Sequence, residues 1–347
     1  MTFQTKEDRE EHELSKDGFI GFGKSIQTER VKRLVKVQDS VPYGIDFLDD
    51  TFRTIDRDDL ILIGAYSGAG KTELVSEIGM KATIEGRRVG FFPLEAAEGE
   101  IEARIKFKAV SSAWAEHGGK TILDYHSWVD GVYDQLLDTI ERKIDQKLGM
   151  YNGLQLFYRH KKFTIHDFRK IFNKHAEKFD LIIVDHLHYF DIDGDNENRA
   201  YKQMMMEIRD LVLVHNVPVI LVAHLRKKAS PRGNPLLPTL DDFHGSSDIA
   251  KICTKAFVMA GGQALGANRY ATYGQVVKCR KNGSLGKYVG QMVWNTKYNQ
   301  FEEGYKLGKL SKDQSAFVPY IEGMDDEYIP NWATRRHANN KDINNAS

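Results

Sequence analysis

An α/β fold with a mainly parallel central sheet and flanking helices is what the sequence predicts, and three features predict it. The apolar runs LILIGA, RVGFFPLE, FDLIIVDHLHYF, VPVILVAHL and TKAFVMA have strand length and are rich in β-branched and aromatic residues, the texture of strands buried on both faces. Helical patterns follow the first run (TELVSEIGMKATIEG) and precede the fourth (AYKQMMMEIRDLVLVHN), which is the alternation of βαβ units. Beyond Ala271, YGQVVKCR and KYVGQMVWN flank KNGSLG, whose Asn-Gly is a strong turn signal and predicts a C-terminal β-hairpin.

The 347 residues, 41% hydrophobic and 28% charged, suffice for a large core and are not low in complexity. Forty-nine basic residues balance 49 acidic ones, which excludes coating nucleic acid by bulk positive charge and makes any such site local. Cys253 and Cys279 offer neither a metal-ligand spacing nor a disulfide framework, as expected of a reducing compartment. The charged stretch MTFQTKEDREEHELSKDG is unlike a secretory signal, and the longest apolar runs are strand-sized, so a cytoplasmic chain without a membrane span is expected.

Taken in order, residues 1–40 carry the charge runs KEDREEHE and ERVKRLVK and are expected to be a tail or linker with one short helix. GFIGFGK within them reads as a loop, because no strand leads into its glycines. Residues 41–304 form the main domain, with a mostly helical insertion at about 96–178 whose role the sequence does not give. Inside it, GGKT at Gly118 to Thr121 lacks the apolar strand that a phosphate loop needs. Met204 to Met206 read as helix packing, and residues 305–347, ending TRRHANNKDINNAS, as a polar tail.

The strongest signal is LILIGAYSGAGKTELVSEI, where strand, glycine-containing loop, Lys-Thr and helix stand in the order of a P-loop. Backbone N–H groups of such a loop, over Ala65, Ser67, Gly68, Ala69 and Gly70, and the helix N-terminus behind it suit a nucleoside triphosphate. Lys71 reaches the β/γ oxygens and the hydroxyl of Thr72 is placed for Mg²⁺, so ATP and Mg²⁺ are the expected ligands. One departure is that Ala65 stands at the first position of the motif, after Gly64. Asp185 ends LIIV and reads as the Walker B carboxylate, with a buried N-cap aspartate as the alternative. Glu95 ends VGFFPLE and is either the general base or a solvated strand-end carboxylate. His224 ends VPVILVAH and is either a γ-phosphate sensor or a histidine satisfied by hydrogen bonds.

Together, AYSGAGKT, FFPLE, LIIVDHLHYF, VPVILVAHLRK, DDFHGSSDIAKI and VVKCRKNGSLG resemble the successive motifs of the RecA-like domain in DnaB-type ring helicases, nearest to the phage helicase-primase and Twinkle branch. The likeness spans roughly residues 41 to 304, starting at VPYGIDFLDDTF. It implies a RecA-like P-loop NTPase core and an ATP-dependent, 5′ to 3′ replicative DNA helicase that works as a homo-oligomeric, hexameric ring. Lys71 and Thr72 would bind ATP-Mg²⁺, with Glu95 as base, Asp185 as Mg²⁺ partner and His224 as sensor. Lys278 and Arg280 in VVKCRKNG match the family's basic pair that reaches the neighbouring subunit's ATP; read alone, Arg280 is equally an exposed strand arginine.

Family channel loops match HLRKKASPRGNPLLP and DDFHGSSD. There Arg226, Lys227, Lys228 and Arg232 would contact phosphates of single-stranded DNA, and Gly245, Ser246 and Ser247 would offer N–H groups or hydroxyls; a solvated basic turn is the alternative. In a ring a few contacts per subunit are multiplied, so a neutral chain remains compatible with DNA binding. VMAGGQALGANRY departs from the basic pattern expected of a third channel loop. Because no primase module and no helical collar is recognisable, a separate primase, loader or polymerase is an expected partner. The rival readings are a RecA-like ATPase acting in repair or recombination or as a regulatory switch without unwinding, and a nucleotide-dependent scaffold.

Overall fold

A computed structural model describes residues 14–119, 121–132, 135–192, 197–225, 236–243, 247–281 and 288–321. Two compact units divide after Ser40. The first contains helix α1 (Phe22–Gln38), whose N-cap is Gly21 and whose surface is mostly exposed. A 2.8 Å pair between Arg33 and Glu29, one turn apart, supports it. ERVKRLVK is therefore helical, as its charge pattern allows.

In the second unit, helix α2 (Asp46–Phe52) precedes β1 (Leu60–Ala65), which feeds α3 (Lys71–Ile84) and then β2 (Val89–Pro93). Next come α4 (Glu100–Glu116), α5 (Tyr125–Val129), α6 (Gln135–Leu148), β3 (Leu154–Leu156) and α7 (Ile165–His175). β4 (Leu181–Asp185), α8 (Glu197–His215), β5 (Val219–His224) and α9 (Ser247–Ile252) complete the alternating part. The strands β6 (Lys255–Gly266), β7 (Arg269–Cys279), β8 (Val289–Asn295), β9 (Gln300–Phe301), β10 (Lys306–Leu310) and β11 (Phe317–Pro319) follow. All join one sheet ordered β11-β10-β8-β7-β6-β1-β5-β4-β2-β3, with β9 on β8. From β3 to β6 the pairing is parallel; from β6 to β11 it is antiparallel. The carboxyl ends of β1, β2, β4 and β5 thus share one edge, where open α/β sheets bind ligands.

Side-chain alternation explains why β1 is apolar throughout. Ile61, Ile63 and Ala65 face a core with Phe47 and Leu48 of α2 and Leu74, Val75 and Ile78 of α3, whereas Leu60 and Leu62 face Phe168, Phe172, Met204, Met205 and Ile208 of α7 and α8. Met204 and Met205 are core residues, while Met206 is exposed. Gly64 leaves room for the Phe243 ring, which a Cβ there would meet at 2.5 Å. At the opposite end, buried Lys255 donates to Asp59 at 2.5 Å and to the Thr54 carbonyl, and Thr254 bonds both Asp59 and Leu60, which fixes where β1 and β6 begin. Asp180, just ahead of β4, accepts from Arg57 and Arg88, which stand before β1 and β2.

The structure departs from the sequence expectations in three places. The insertion at 96–178 is not only helical, because β3 pairs parallel with β2; a strand of three residues, two part-buried about an exposed Gln155, is too short for its alternation to be read. VMAGGQALGANRY is the far end of the β6–β7 hairpin, which turns through Asn268 at φ 64°. The expected polar tail does not begin at 305: β10 and β11 extend the sheet by pairing on β8. Leu307 is buried there, and Gly308 admits β11, since a Cβ would stand 2.4 Å from the Val318 carbonyl. Polar KLGKL reads as tail because it has little apolar alternation of its own. No helix among the described residues is long and apolar enough to cross a membrane.

Candidate functional site

The loop between β1 and α3 turns through Gly68 at φ 78° and Gly70 at φ 83°, conformations that residues with a Cβ rarely adopt. Gly70 caps α3, so the helix's free N–H groups open into a cleft of about 680 Å³. Ser67, Gly68, Gly70, Lys71, Thr72, Glu95, Asp185 and His224 all line it. Ala65 and Ala69 complete the loop: the Ala65 carbonyl accepts from Lys71 Nζ at 3.1 Å, and the Ala69 N–H donates to the Tyr66 carbonyl. Lys71 also donates to the Tyr66 carbonyl, so its ammonium is held by its own loop. Burial lowers its pKa, against the opposing charges of Asp185 and Glu95.

Thr72 Oγ1 donates a 2.6 Å hydrogen bond to Asp185 Oδ2. Asp185 is 2% exposed, and its Oδ1 has no hydrogen-bond partner among the described residues. Burial raises its pKa to about 6, and Glu95 adds to that while the Thr72 bond and Lys71 oppose it. A half-buried hydroxyl and a buried carboxylate with an orphaned oxygen, side by side at the helix N-terminus, form a hard oxygen donor set that fits Mg²⁺.

Glu95 follows β2, and its side chain is 48% exposed to the cleft. Tyr189 leans on it: burial raises the pKa of that hydroxyl, and the negative charge and hydrogen bond of Glu95 raise it further. His224 pairs in register with Ala65, which sets it beside the start of the loop. Its pKa is lowered by burial and by Lys71, so the ring is neutral near pH 7. Its backbone N–H donates to His188 Nδ1 at 3.3 Å.

Five sequence-predicted residues, Lys71, Thr72, Glu95, Asp185 and His224, therefore meet around one cleft. Lys278 and Arg280 do not line it. Lys278 donates to the Lys251 carbonyl at 2.7 Å, and the Arg280 N–H donates to Thr254, whose own N–H donates to Leu60. Arg280 thus stands level with the start of β1, roughly 16 Å along the strand from Ala65. Arg226, Lys227, Lys228, Arg232, Gly245 and Ser246 lie outside the described residues, and Ser247 begins α9. Leu225 and Phe243, which flank this region, form a β-bridge immediately after His224.

Three residues escape sequence reasoning: Tyr189 and Arg104, which line the cleft, and His186, buried behind Glu95. His186 is 1% exposed, and its Nε2 stands 3.0 Å from Glu95 Oε2 without hydrogen-bond alignment. Tyr189 lies in the same LIIVDHLHYF segment, but only the fold turns it toward Glu95. Arg104 of α4 reaches the cleft while held by Glu73 and Glu100, each at 2.8 Å. Its signal was hidden because the helical stretch after Glu95 carries no motif.

Known proteins share this geometry. Residues 40–303 match the family described as "DnaB-like helicase C terminal domain". A "Probable plasmid replicative DNA helicase" of Chlamydia muridarum (strain MoPn / Nigg) is 24% identical over 228 residues, 61% of this chain and 45% of that protein. One of the same description from Chlamydia psittaci is 24% identical over 225 residues, covering 63% and 46%. The chain spans about half the length of these curated relatives. Among solved structures, the ATPase domain of a phage protein superposes with a TM-score of 0.61 at 13% identity, over 87% of this chain and all of that one. "The Structure Of A DnaB-Like Replicative Helicase And Its Interactions With Primase" gives 0.63 at 14% identity, over 82% and 67%. At such identities the likeness is one of fold, here the RecA-like ATPase fold.

Proposed function

The chain belongs to the DnaB-like helicase family through its C-terminal ATPase domain, and from that premise we propose that it is an ATP-dependent DNA helicase of replication. It translocates 5′ to 3′ on single-stranded DNA as a homo-oligomeric, hexameric ring in the cytoplasm, and hydrolyses ATP between subunits. The carrying observation is the convergence of Lys71, Thr72, Glu95, Asp185 and His224 from separate strand ends on one cleft.

Each residue has a task its position suits. Loop N–H groups and Lys71 bind the triphosphate; Thr72 and Asp185 hold Mg²⁺, which when bound neutralises phosphate charge. Glu95, half exposed to the cleft, orients and deprotonates the attacking water. His224 senses the γ-phosphate and passes its state to Leu225, from which the chain enters HLRKKASPRGNPLLP. Arg226, Lys227, Lys228, Arg232, Gly245, Ser246 and Ser247 are the proposed DNA contacts. Arg280, level with the start of β1, lies too far from its own loop to serve it and Lys278 does not line the cleft, which supports their action on the ATP of a neighbouring subunit. The domain proposed for this work is 41–304 together with the strands to 319, preceded by a linker at 1–40. A separate primase, loader or polymerase is the proposed partner; the primase suggestion has a parallel in one structural neighbour, whose description names that interaction.

The test is ATP hydrolysis with and without single-stranded DNA, in wild type and Lys71→Ala. Stimulation by DNA in the wild type alone is expected. Hydrolysis that persists in the variant would contradict the assignment of the cleft.

A further inference from the structure

Beside the Mg²⁺ position, Glu95 and His224 of the cleft adjoin a buried histidine, His186, to which the nucleotide reading gives no task. His186 is 1% exposed, yet neither ring nitrogen has a hydrogen-bond partner among the described residues. Its Nε2 is 3.0 Å from Glu95 Oε2. Its ring meets that of His224 edge to face, with centroids 3.9 Å apart and planes at 85°. The Nδ1 of His224 is also buried without a partner among the described residues. One donor atom from each of Glu95, His186 and His224 lies within 4.8 Å of the other two.

Buried nitrogens left without partners lose their hydration and gain nothing in exchange. A cation shared by the three side chains would repay that loss. Bound at about 2.0–2.2 Å from each donor, a tetrahedral zinc ion holds its ligand atoms roughly 3.4 Å apart. The Glu95–His186 separation is already near that value, and Glu95, 48% exposed, is free to swing and close the set. Two imidazoles and one carboxylate suit Zn²⁺ or Co²⁺ and disfavour Mg²⁺, which prefers oxygen. The surrounding charge is favourable too, since Asp185 offsets Lys71 and Arg104 is paired with Glu73 and Glu100. His188 holds the end of β5 by accepting the His224 N–H, which fixes one ligand's backbone.

We propose that Glu95, His186 and His224 form a three-ligand site for a borderline-soft divalent cation, Zn²⁺ above all, separate from the Mg²⁺ position at Thr72 and Asp185. Glu95 and His224 line the cleft, so the ion enters and leaves through the nucleotide's own opening. The site itself does not depend on the helicase reading. One consequence does: with Glu95 and His224 taken as ligands, water activation stops while the phosphate loop stays intact, so zinc arrests hydrolysis without displacing ATP.

The test uses the full chain, free of tag, nucleotide and DNA, titrated with Co²⁺ and followed by visible absorption. Expected is one equivalent with the intense bands of tetrahedral cobalt, displaced by Zn²⁺ and not by excess Mg²⁺. The bands should vanish in His186→Ala, His224→Ala and Glu95→Ala and persist in Thr72→Val. Glu95→Ala removes a half-exposed side chain and keeps the fold, checked by circular dichroism, so its result stands even if the buried histidine variants misfold. Absence of bands, persistence in Glu95→Ala (cobalt on other histidines), or loss in Thr72→Val (cobalt at the Mg²⁺ position) would each overturn the proposal. Since no ATP or DNA is present, failure of the helicase reading leaves this result untouched.

Discussion

Thr72 and Asp185, 113 residues apart in the chain, are joined by a 2.6 Å hydrogen bond. The bond ties the first turn of α3 to the end of β4 across the intervening β5. It presets both proposed Mg²⁺ partners before any ligand arrives, so little reorganisation is needed on binding.

Replacing Asp185 with Asn should therefore remove a charge and leave the packing. An interaction of several kcal/mol with the metal-bound phosphates corresponds to a loss of about 10²-fold or more in kcat. Steady-state hydrolysis across Mg²⁺ concentrations checks this; wild-type turnover in Asp185→Asn would remove the residue from the mechanism.

Glu95→Gln separates binding from chemistry. A general base contributes about 10²- to 10⁴-fold, so single-turnover hydrolysis should fall by that range while nucleotide affinity, measured by equilibrium titration, changes little. Equal loss of affinity and rate would instead make Glu95 a binding residue.

Lys71 and Arg280 belong, in this account, to the same ATP site only when they come from different subunits. Arg280 is level with the start of β1 and Lys71 follows its end. Neither Lys71→Ala nor Arg280→Ala assemblies should hydrolyse ATP efficiently. Mixed assemblies, verified by mass spectrometry, should regain activity as intact sites form between an Arg280→Ala subunit's loop and a Lys71→Ala subunit's arginine. No recovery in verified mixtures would count against a shared site.

Asp180 gives a prediction about stability and pH. Partial burial raises its pKa, but the hydrogen bonds from Arg88 and Arg57 outweigh that and hold it at about 2, below the ordinary carboxylate value of 3.8. A depressed folded-state pKa stabilises above the unfolded value and is lost as pH falls from 3.8 through 2. Asp180→Asn should accordingly cost about 1–2 kcal/mol near neutral pH, discounted for the exposure of Arg88. In denaturant titrations the difference from wild type should shrink toward pH 2; a constant difference would point to packing rather than charge.

How much of this was legible follows from how local each signal is. Lys71 and Thr72 sit in one contiguous strand-loop-helix string, and Glu95, Asp185 and His224 each end an apolar run, so strand direction alone brings them to one edge. His186, Tyr189 and Arg104 needed the fold, because what matters is which way a side chain turns after a strand or around a helix. β3 and β10 were hidden for a related reason: LQL and KLGKL have little apolar alternation of their own, and the partner of LQL, β2, is remote in sequence. Arg280 was identifiable only through the family's motif, since in isolation nothing distinguishes it from a surface arginine.

Unwinding of a forked DNA by the chain, with ATP and Mg²⁺, tests the central claim most directly. It should be run beside an Arg280→Ala variant confirmed to be folded and assembled. The account predicts ATP-dependent strand separation by the wild type and its loss in the variant. Hydrolysis stimulated by single-stranded DNA with no fork opening, across a range of salt concentrations and loading conditions, would contradict it and favour a RecA-like ATPase switch.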